Sequence, residues 1–295
     1  MFAEKLKYGD TIGLISPSHV AEKESYANII THLEQLGFKV KTGANLYKNT
    51  WGSVASATER ADDLNSMVAD TDVKLIFFGG GNGALDILPL IDYESIKKNP
   101  KLFLSYSDGT YILNAIYTKT GLVTYYGQTP GIFCPPDDYT RLHFERHLVH
   151  RDAAEHIPNS QWYTINSGSC EGTLIGGYLP YISTESDSAY FLYDKKEKYI
   201  LFLEDHEKFN DISAIGSYLV QLEHSDFMKN VVGAIFGHYS ETPSEPLLDC
   251  IEKFGKRASI PVAYCDDFGH GTNHAILPVG VKAEFDADRK QLKYN

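Results

Sequence analysis

The sequence predicts an α/β protein. It favours a doubly wound, mostly parallel N-terminal sheet and a smaller, β-rich C-terminal part. Apolar strand-like runs alternate with helix-like segments up to about residue 150, and such alternation produces a parallel sheet covered on both faces. Two of these strands run directly into glycine- or serine-rich turns. Beyond residue 150 short strands dominate, so we predict domains at 1–150 and 166–295 joined by a linker at 151–165.

Composition and charge exclude several classes of function. The chain has 295 residues, of which 43% are hydrophobic and 22% charged, the balance of an ordinary globular protein. A net charge of -12 makes nucleic acid an unfavourable partner. No apolar run approaches the roughly 20 residues that span a membrane, and the N-terminus has no signal-peptide core. We therefore expect a cytoplasmic protein with no membrane partner.

The cysteines give no sign of a disulfide framework or a metal site. Four are present, with no CxxC pair among them: Cys134, Cys170, Cys250 and Cys265. Structural zinc requires closely spaced ligand pairs, and unpaired thiols are typical of a reducing compartment. The sequence therefore predicts no metal and no cofactor.

Local patterns place the elements in order. In the first half, strands are predicted near residues 11–15, 38–40, 74–78, 102–104 and 123–126, with helices near 26–36, 57–68 and 110–119. Ser56 and Glu59 have the spacing of a capping box. In the second half, strands are predicted near 161–166, 171–175, 199–203 and 231–236, and a helix carries Ile212, Ile215, Leu219 and Leu222. Residues 283–285 and 291–293 flank a turn and predict a closing hairpin.

Ser107 is the first candidate for chemistry. It lies in the sequence SYSDG between a predicted strand and a predicted helix. A sharp strand-to-helix turn presents a serine hydroxyl clear of the sheet, next to the backbone N–H groups of a helix N-terminus. Of the two glycines in G-x-S-x-G, Gly109 is present and Ser105 replaces the other. The alternative is a helix N-cap, which serine also favours.

The glycine cluster at residues 79–83 is the second candidate. It follows a buried strand and lets the backbone approach another group closely. Its spacing does not fit a G-x-G-x-x-G dinucleotide site. Two interpretations of the cluster remain open: it donates a backbone N–H to an oxyanion, or it is a plain flexible turn.

Glu204 and His270 complete the set of candidates. Glu204 ends an apolar strand, where a carboxylate can orient a histidine; the alternative is a solvated charge in a loop. His270 stands between glycines, as expected for a histidine presented by a tight loop. A metal pair with His274 is disfavoured because the motif lacks a glutamate and a helix. His143 and His147, four residues apart on a probable helix, are expected to face solvent.

The ordered set of motifs resembles the LD-carboxypeptidase family of serine peptidases, which includes the microcin C immunity proteins. The resemblance runs along nearly the whole chain. Its motifs are residues 9–13 (GDTIG), 16–18 (SPS), 59–65 (ERADDLN), 80–83 (GGNG), 88–93 (LPLIDY), 106–110 (YSDGT), 172–177 (GTLIGG), 201–205 (LFLED), 269–270 (GH) and 278–280 (PVG).

The resemblance implies a triad with Ser107 as nucleophile, His270 as general base and Glu204 orienting the base. It implies an oxyanion hole from the backbone N–H of Asp108 with that of Gly80 or Gly81. Asn82 and Tyr178 are the predicted substrate-binding residues. The implied substrate is a murein tetrapeptide or, as the alternative, a peptidyl-nucleotide or acyl-sulfamoyl adenylate, and the implied assembly is a homodimer.

Three departures from the family pattern bear on the substrate. Gly79 stands where most members have arginine, Ser105 where glycine is usual, and Tyr178 where asparagine is usual. Hydrolysis is still favoured because the triad residues are present. The second alternative is a non-catalytic peptide-binding relative that keeps the fold.

Overall fold

The computed structural model describes residues 1–52 and 54–295 and divides the chain into two units, Met1–Asp152 and Ala153–Asn295. Both units combine helices with a sheet, so the predicted α/β class is confirmed. In the part of the chain that the structure describes, none of the helices has the combined length and hydrophobicity that a transmembrane helix needs.

A parallel sheet forms the centre of the first unit. Its strands lie in the order β2–β1–β3–β4–β5. They span Thr11–Ile15 (β1), Lys39–Thr42 (β2), Val73–Phe78 (β3), Leu102–Ser105 (β4) and Thr124–Tyr126 (β5). The chain builds outward from β1 on one side and then returns to place β3 on its other side. Ligand sites of doubly wound sheets lie at this switch point, beyond the carboxyl ends of the strands.

Helices connect these strands. They span Lys23–Gln35 (α1), Ala57–Ala69 (α2), Tyr93–Lys98 (α3), Gly109–Thr120 (α4), Pro130–Phe133 (α5) and Asp138–Phe144 (α6), with a 3₁₀ segment at Ala84–Leu90 and a π-helical segment at Glu145–His150. The predicted capping box is confirmed at the start of α2. The Ser56 N–H donates to the Glu59 carboxylate at 2.8 Å, and the Glu59 N–H donates to Ser56 Oγ at 3.4 Å.

His143 and His147 are buried, so the prediction that they face solvent is wrong. Their exposed fractions are 3% and 5%. The two rings lie 5.7 Å apart, with Tyr139 4.6 Å from His143 and Tyr125 6.3 Å from His147. The four-residue spacing identified one helical face correctly, but spacing alone does not tell which face packs inward.

The sheet of the second unit is mixed, in the order β13–β12–β7–β8–β9–β10–β6. Its strands span Tyr163–Asn166 (β6), Ser169–Tyr178 (β7), Tyr199–Glu204 (β8), Val231–Phe236 (β9), Val262–Tyr264 (β10), Lys282–Asp286 (β12) and Gln291–Tyr294 (β13); Leu277–Val279 is β11. The four central strands are parallel, and antiparallel strands flank them. The predicted closing hairpin is β12 with β13.

Helices of the second unit span Leu179–Glu185 (α7), Ile212–His224 (α8) and Glu245–Ala258 (α9), with a 3₁₀ segment at Asp226–Asn230. α8 buries Ile215, Leu219 and Leu222, three of the four positions that predicted it. The sequence analysis did not identify α9, although its buried positions, Leu247, Ile251 and Phe254, have helical spacing.

Gly176 allows β7 and β8 to pair closely. It has a φ of 153°, and a Cβ built there would lie 1.9 Å from the carbonyl oxygen of Phe202. Phe202 is its partner across the parallel pair. A side chain at residue 176 would therefore meet rigid backbone in the centre of the sheet.

Gly176→Ala is expected to lower the free energy of unfolding by about 3 kcal/mol or more, since it combines backbone strain with overpacking. Urea titration would measure the change. Gly216→Ala, in α8, is the matched control, because its Cβ would have an ordinary contact 3.6 Å from Cys250 Sγ of α9 and alanine gains up to about 1 kcal/mol over glycine in a helix. Equal effects of the two substitutions would contradict this account of Gly176.

Candidate active site

Ser107 adopts a backbone conformation that is costly for a residue with a side chain. Its φ is 55°, and this left-handed region costs roughly 1–2 kcal/mol for residues other than glycine. α4 begins at Gly109, and Asp108 occupies the N-cap position. Ser107 thus lies on the turn ahead of the helix, and the N-cap interpretation does not describe it.

Neighbouring side chains hold this strained turn from two directions. The Ser107 N–H donates to the Tyr126 hydroxyl at the end of β5 at 3.0 Å. The Ser107 carbonyl accepts from the hydroxyl of Thr110 at 2.6 Å and from its backbone N–H at 2.9 Å. Strained residues persist where their surroundings fix them in this way, and they concentrate at functional sites.

Gly80 brings the loop after β3 against Ser107. A Cβ at residue 80 would lie 2.6 Å from Ser107 Cβ and 3.2 Å from Ser107 Oγ. Gly81 has a φ of 143°, and its Cβ would lie 2.2 Å from the Ser18 carbonyl oxygen. The Asn82 N–H donates to that same oxygen at 2.8 Å. These contacts require glycine, which favours close approach over a merely flexible turn.

A buried carboxylate and a buried guanidinium fix the loops around Ser107. Asp108 accepts from the Ala84 N–H at 2.7 Å, and burial raises the pKa of this carboxyl. Arg60, with 1% of its side chain exposed, donates to the carbonyls of Pro17 at 2.7 Å and Gly83 at 2.6 Å. One cation thereby joins the turn after β1 to the turn after β3.

Ser105 fits the turn because residue 109 lacks a side chain. A Cβ at Gly109 would lie 2.2 Å from Ser105 Oγ and 2.7 Å from Ser105 Cβ. The Ser105 side chain occupies the space that Gly109 leaves open. This departure from the family pattern is therefore accommodated by packing inside the first unit.

In the second unit, Glu204 lies at the end of β8 and binds His270. The carboxylate accepts from His270 Nδ1 at 2.7 Å and from the His270 N–H at 3.2 Å. Glu204 is 2% exposed, so it is not a solvated loop charge. Gly269 has a φ of 107°, and a Cβ there would lie 2.7 Å from the Glu204 carboxylate, so glycine is needed for this approach.

The Glu204 contact sets the protonation chemistry of His270. Burial by itself disfavours the imidazolium, but the attraction and hydrogen bond of Glu204, with a weaker attraction from Asp205, outweigh it, and the pKa of His270 lies above its ordinary value of 6.5. Because Nδ1 donates to the carboxylate, Nε2 is the nitrogen that can take up a proton. This pair has the chemistry of a general base with its orienting group.

Two aromatic rings flank His270. Tyr178 lies 5.1 Å and Phe209 5.4 Å from its ring centre. Phe209 is 62% exposed, whereas Tyr178 is buried and its hydroxyl accepts from the Asn210 amide at 3.1 Å. Burial raises the pKa of the neighbouring Asp205 to about 6. A substrate-binding role for Tyr178 stays a prediction.

The predicted site residues thus form two clusters. The Ser107 cluster in the first unit comprises Gly80, Gly81, Asn82, Ser107 and Asp108; the His270 cluster in the second comprises Tyr178, Glu204 and His270. Sequence reasoning missed Tyr126 and Phe209, which no motif indicated, and Asp205, although it is part of the LFLED motif. In the described part of the chain, no group of three or more His, Cys, Asp or Glu side chains could hold a metal ion.

Comparisons with known proteins find relatives of one family along nearly the whole chain. The family model for the LD-carboxypeptidase N-terminal domain matches residues 12–127, and that for the C-terminal domain matches residues 171–285. The putative carboxypeptidase YocD of Bacillus subtilis is 30% identical over 97% of this chain and 96% of its own. The probable murein peptide carboxypeptidase of the same organism is 29% identical over 97% of this chain and 91% of its own.

Among solved structures, the microcin C7 self-immunity protein MccF in complex with aspartyl sulfamoyl adenosine superposes with a TM-score of 0.86. It is 27% identical, and the match covers 100% of this chain and 98% of that one.

Gly109→Ala is expected to destabilise the protein by about 1–3 kcal/mol, because its methyl group overpacks Ser105. In a Ser105→Gly background the same change should cost clearly less, since only the Phe78 ring, 3.3 Å from the new Cβ, remains close and alanine favours a helix. Urea unfolding of the wild type, both single variants and the double variant measures this coupling. An equal cost of Gly109→Ala in both backgrounds would rule out the proposed packing.

Proposed function

We propose, from the premise that this chain belongs to the LD-carboxypeptidase family, that it is a serine carboxypeptidase hydrolysing an amide bond next to a C-terminal residue. The observation that carries the proposal is the strained turn of Ser107 with Gly80 packed against it. Such strain is retained where a side chain must be presented in one orientation.

In this mechanism Ser107 Oγ attacks the scissile carbonyl carbon while His270 Nε2 accepts the hydroxyl proton. Glu204 keeps the imidazole in the tautomer that can accept and stabilises the imidazolium. The backbone N–H groups of Asp108 and of Gly80 or Gly81 bind the developing oxyanion. The imidazolium then protonates the leaving amine, and water, activated by the same histidine, hydrolyses the acyl-enzyme.

The first candidate substrate is a murein tetrapeptide, cut between meso-diaminopimelate and the terminal D-alanine. Similarity to a probable murein peptide carboxypeptidase along almost the whole chain supports it. The general chemistry of the reaction needs no metal, because the hydroxyl is activated by a neighbouring base.

The second candidate is a peptidyl-nucleotide or acyl-sulfamoyl adenylate. Gly79 favours it, because most LD-carboxypeptidases have an arginine there, whereas here a Cβ would lie 2.8 Å from the His19 ring. The exposed Phe209 ring beside His270 offers an apolar surface suited to a flat heteroaromatic group. MccF, which has a similar structure, has been solved with aspartyl sulfamoyl adenosine.

Incubation with a murein tetrapeptide and, separately, a processed microcin analogue, followed by mass spectrometry, tests both candidates. Ser107→Ala should abolish turnover while thermal unfolding stays nearly unchanged. His270→Ala should also abolish turnover, with a lower unfolding temperature, because the buried Glu204 carboxylate loses the ring Nδ1–H. A fluorophosphonate should label the wild type and not Ser107→Ala. Turnover near the wild-type rate in either variant would remove that residue from the mechanism, and absence of labelling and turnover would favour a non-catalytic binding protein.

The pH profile of kcat/KM should have an acidic limb with a midpoint above 6.5, because only neutral His270 accepts a proton and its pKa is raised. Glu204→Gln should move this limb to lower pH and reduce kcat. Asp205→Asn should move it less, because Asp205 contributes the weaker attraction. A limb at the same pH in wild type and Glu204→Gln would refute the assignment of His270 as the base oriented by Glu204.

A further inference from the structure

His19 lies beside the glycine turn after β3, and both of its ring nitrogens have partners. Nδ1 is 3.0 Å from the Gly80 carbonyl oxygen, and Nε2 is 3.3 Å from the Tyr26 hydroxyl. A carbonyl oxygen can only accept, so the proton is on Nδ1, and Nε2 accepts from the tyrosine. Burial lowers the pKa of His19, which favours the same neutral ring.

The Gly80 carbonyl belongs to the peptide bond that also carries the Gly81 N–H. Because the peptide is planar and trans, the two groups point in opposite directions. Glycine on both sides of this bond gives it a wide choice of orientations, and Gly81 has a φ of 143°. A hydrogen bond to the carbonyl oxygen therefore fixes the direction of the Gly81 N–H.

The peptide that His19 holds is the one next to the nucleophile. A Cβ at Gly80 would be 2.6 Å from Ser107 Cβ, so the turn has no room to shift toward the serine. On the following residue, the Asn82 N–H is held by the Ser18 carbonyl at 2.8 Å. Ser18 and His19, adjacent in the turn after β1, together restrain the glycine turn.

Gly79 is what permits this contact. A Cβ at residue 79 would lie 2.8 Å from His19 Cε1 and 3.4 Å from its Nδ1. Any side chain there would move the ring, and a displaced ring would lose the 3.0 Å contact with Gly80. The absence of a side chain at residue 79 and the histidine at residue 19 are therefore complementary features of this chain.

We propose that His19 is a positioning residue: its Nδ1–H holds the Gly80 carbonyl and thereby aims the Gly81 N–H at the oxyanion that forms when Ser107 attacks. The inference rests on the proposed function, because an oxyanion forms there only if Ser107 is the nucleophile.

The test is the second-order rate at which a fluorophosphonate labels Ser107 in the full chain, measured with thermal unfolding of the same proteins. Asparagine places its amide nitrogen close to the position of histidine Nδ1, whereas glutamine places its amide nitrogen near that of Nε2. His19→Gln and His19→Ala should reduce labelling about 10- to 100-fold, somewhat less than the 10²–10³ typical of losing one oxyanion donor. His19→Asn should recover most of the rate.

If the wild type hydrolyses a murein tetrapeptide, the same variants should lower kcat for that substrate and change KM by less than about 3-fold. This is the result expected for an interaction made mainly in the transition state. Tyr26→Phe keeps the aromatic ring and removes the hydroxyl facing Nε2. It should give a smaller loss than His19→Gln, because the donor to Gly80 is retained.

Gly79→Ala tests whether a side chain at residue 79 acts by displacing the His19 ring. In the wild-type background it should slow labelling as His19→Gln does, and in the His19→Ala background it should have little further effect. Additive losses would show that residue 79 acts independently of His19 and would overturn the complementarity.

The failure of this inference differs from the failure of the proposed function. If the wild type is not labelled above Ser107→Ala, Ser107 is not an activated nucleophile and the proposed function falls with the inference. If the wild type is labelled but His19→Gln and His19→Asn react at the wild-type rate, His19 is not a positioning residue and the function stands. Equal losses in Asn, Gln and Ala variants, in step with lower unfolding temperatures, would show a structural role only.

Discussion

The contact between Gly80 and Ser107 is the constraint on which the rest of the first unit's site depends. It requires a serine at positive φ and a glycine without room for a methyl group. Neither condition is stable by itself: the serine turn costs roughly 1–2 kcal/mol, and a glycine turn is conformationally loose. The hydroxyls of Tyr126 and Thr110 restrain the serine turn, and the carbonyl of Ser18 restrains the glycine turn.

In the second unit, too, a glycine allows a close approach, here between Glu204 and the loop that carries His270. Gly269 lets the loop approach Glu204 so closely that the carboxylate accepts both the backbone N–H and the ring Nδ1–H of His270. Two hydrogen bonds to one oxygen hold the ring in a single orientation and stabilise its charged form. A buried carboxylate without such partners would be costly, so the histidine and the glutamate depend on each other.

Local patterns predicted the elements well, because alternation, capping and turn chemistry are written in neighbouring residues. The capping box at Ser56, the hairpin of β12 with β13 and the Ser107 turn are of this kind. Neighbouring residues do not determine the direction in which His143 and His147 face, since this depends on aromatic rings packed against them. Tyr126, which holds Ser107 from a neighbouring strand, becomes visible only when the fold brings the residues together.

Two residues that depart from the family pattern, Ser105 and Gly79, are each matched by a neighbouring residue. Ser105 fits because residue 109 is glycine, and the space next to Gly79 is filled by the His19 ring. A protein that had lost its chemistry would gain by relaxing Ser107, because glycine removes the strain at positive φ. Here the strain is kept, and packing compensates the altered positions around it. The retained strain supports the proposed role of Ser107 as a nucleophile over a non-catalytic relative that keeps only the fold.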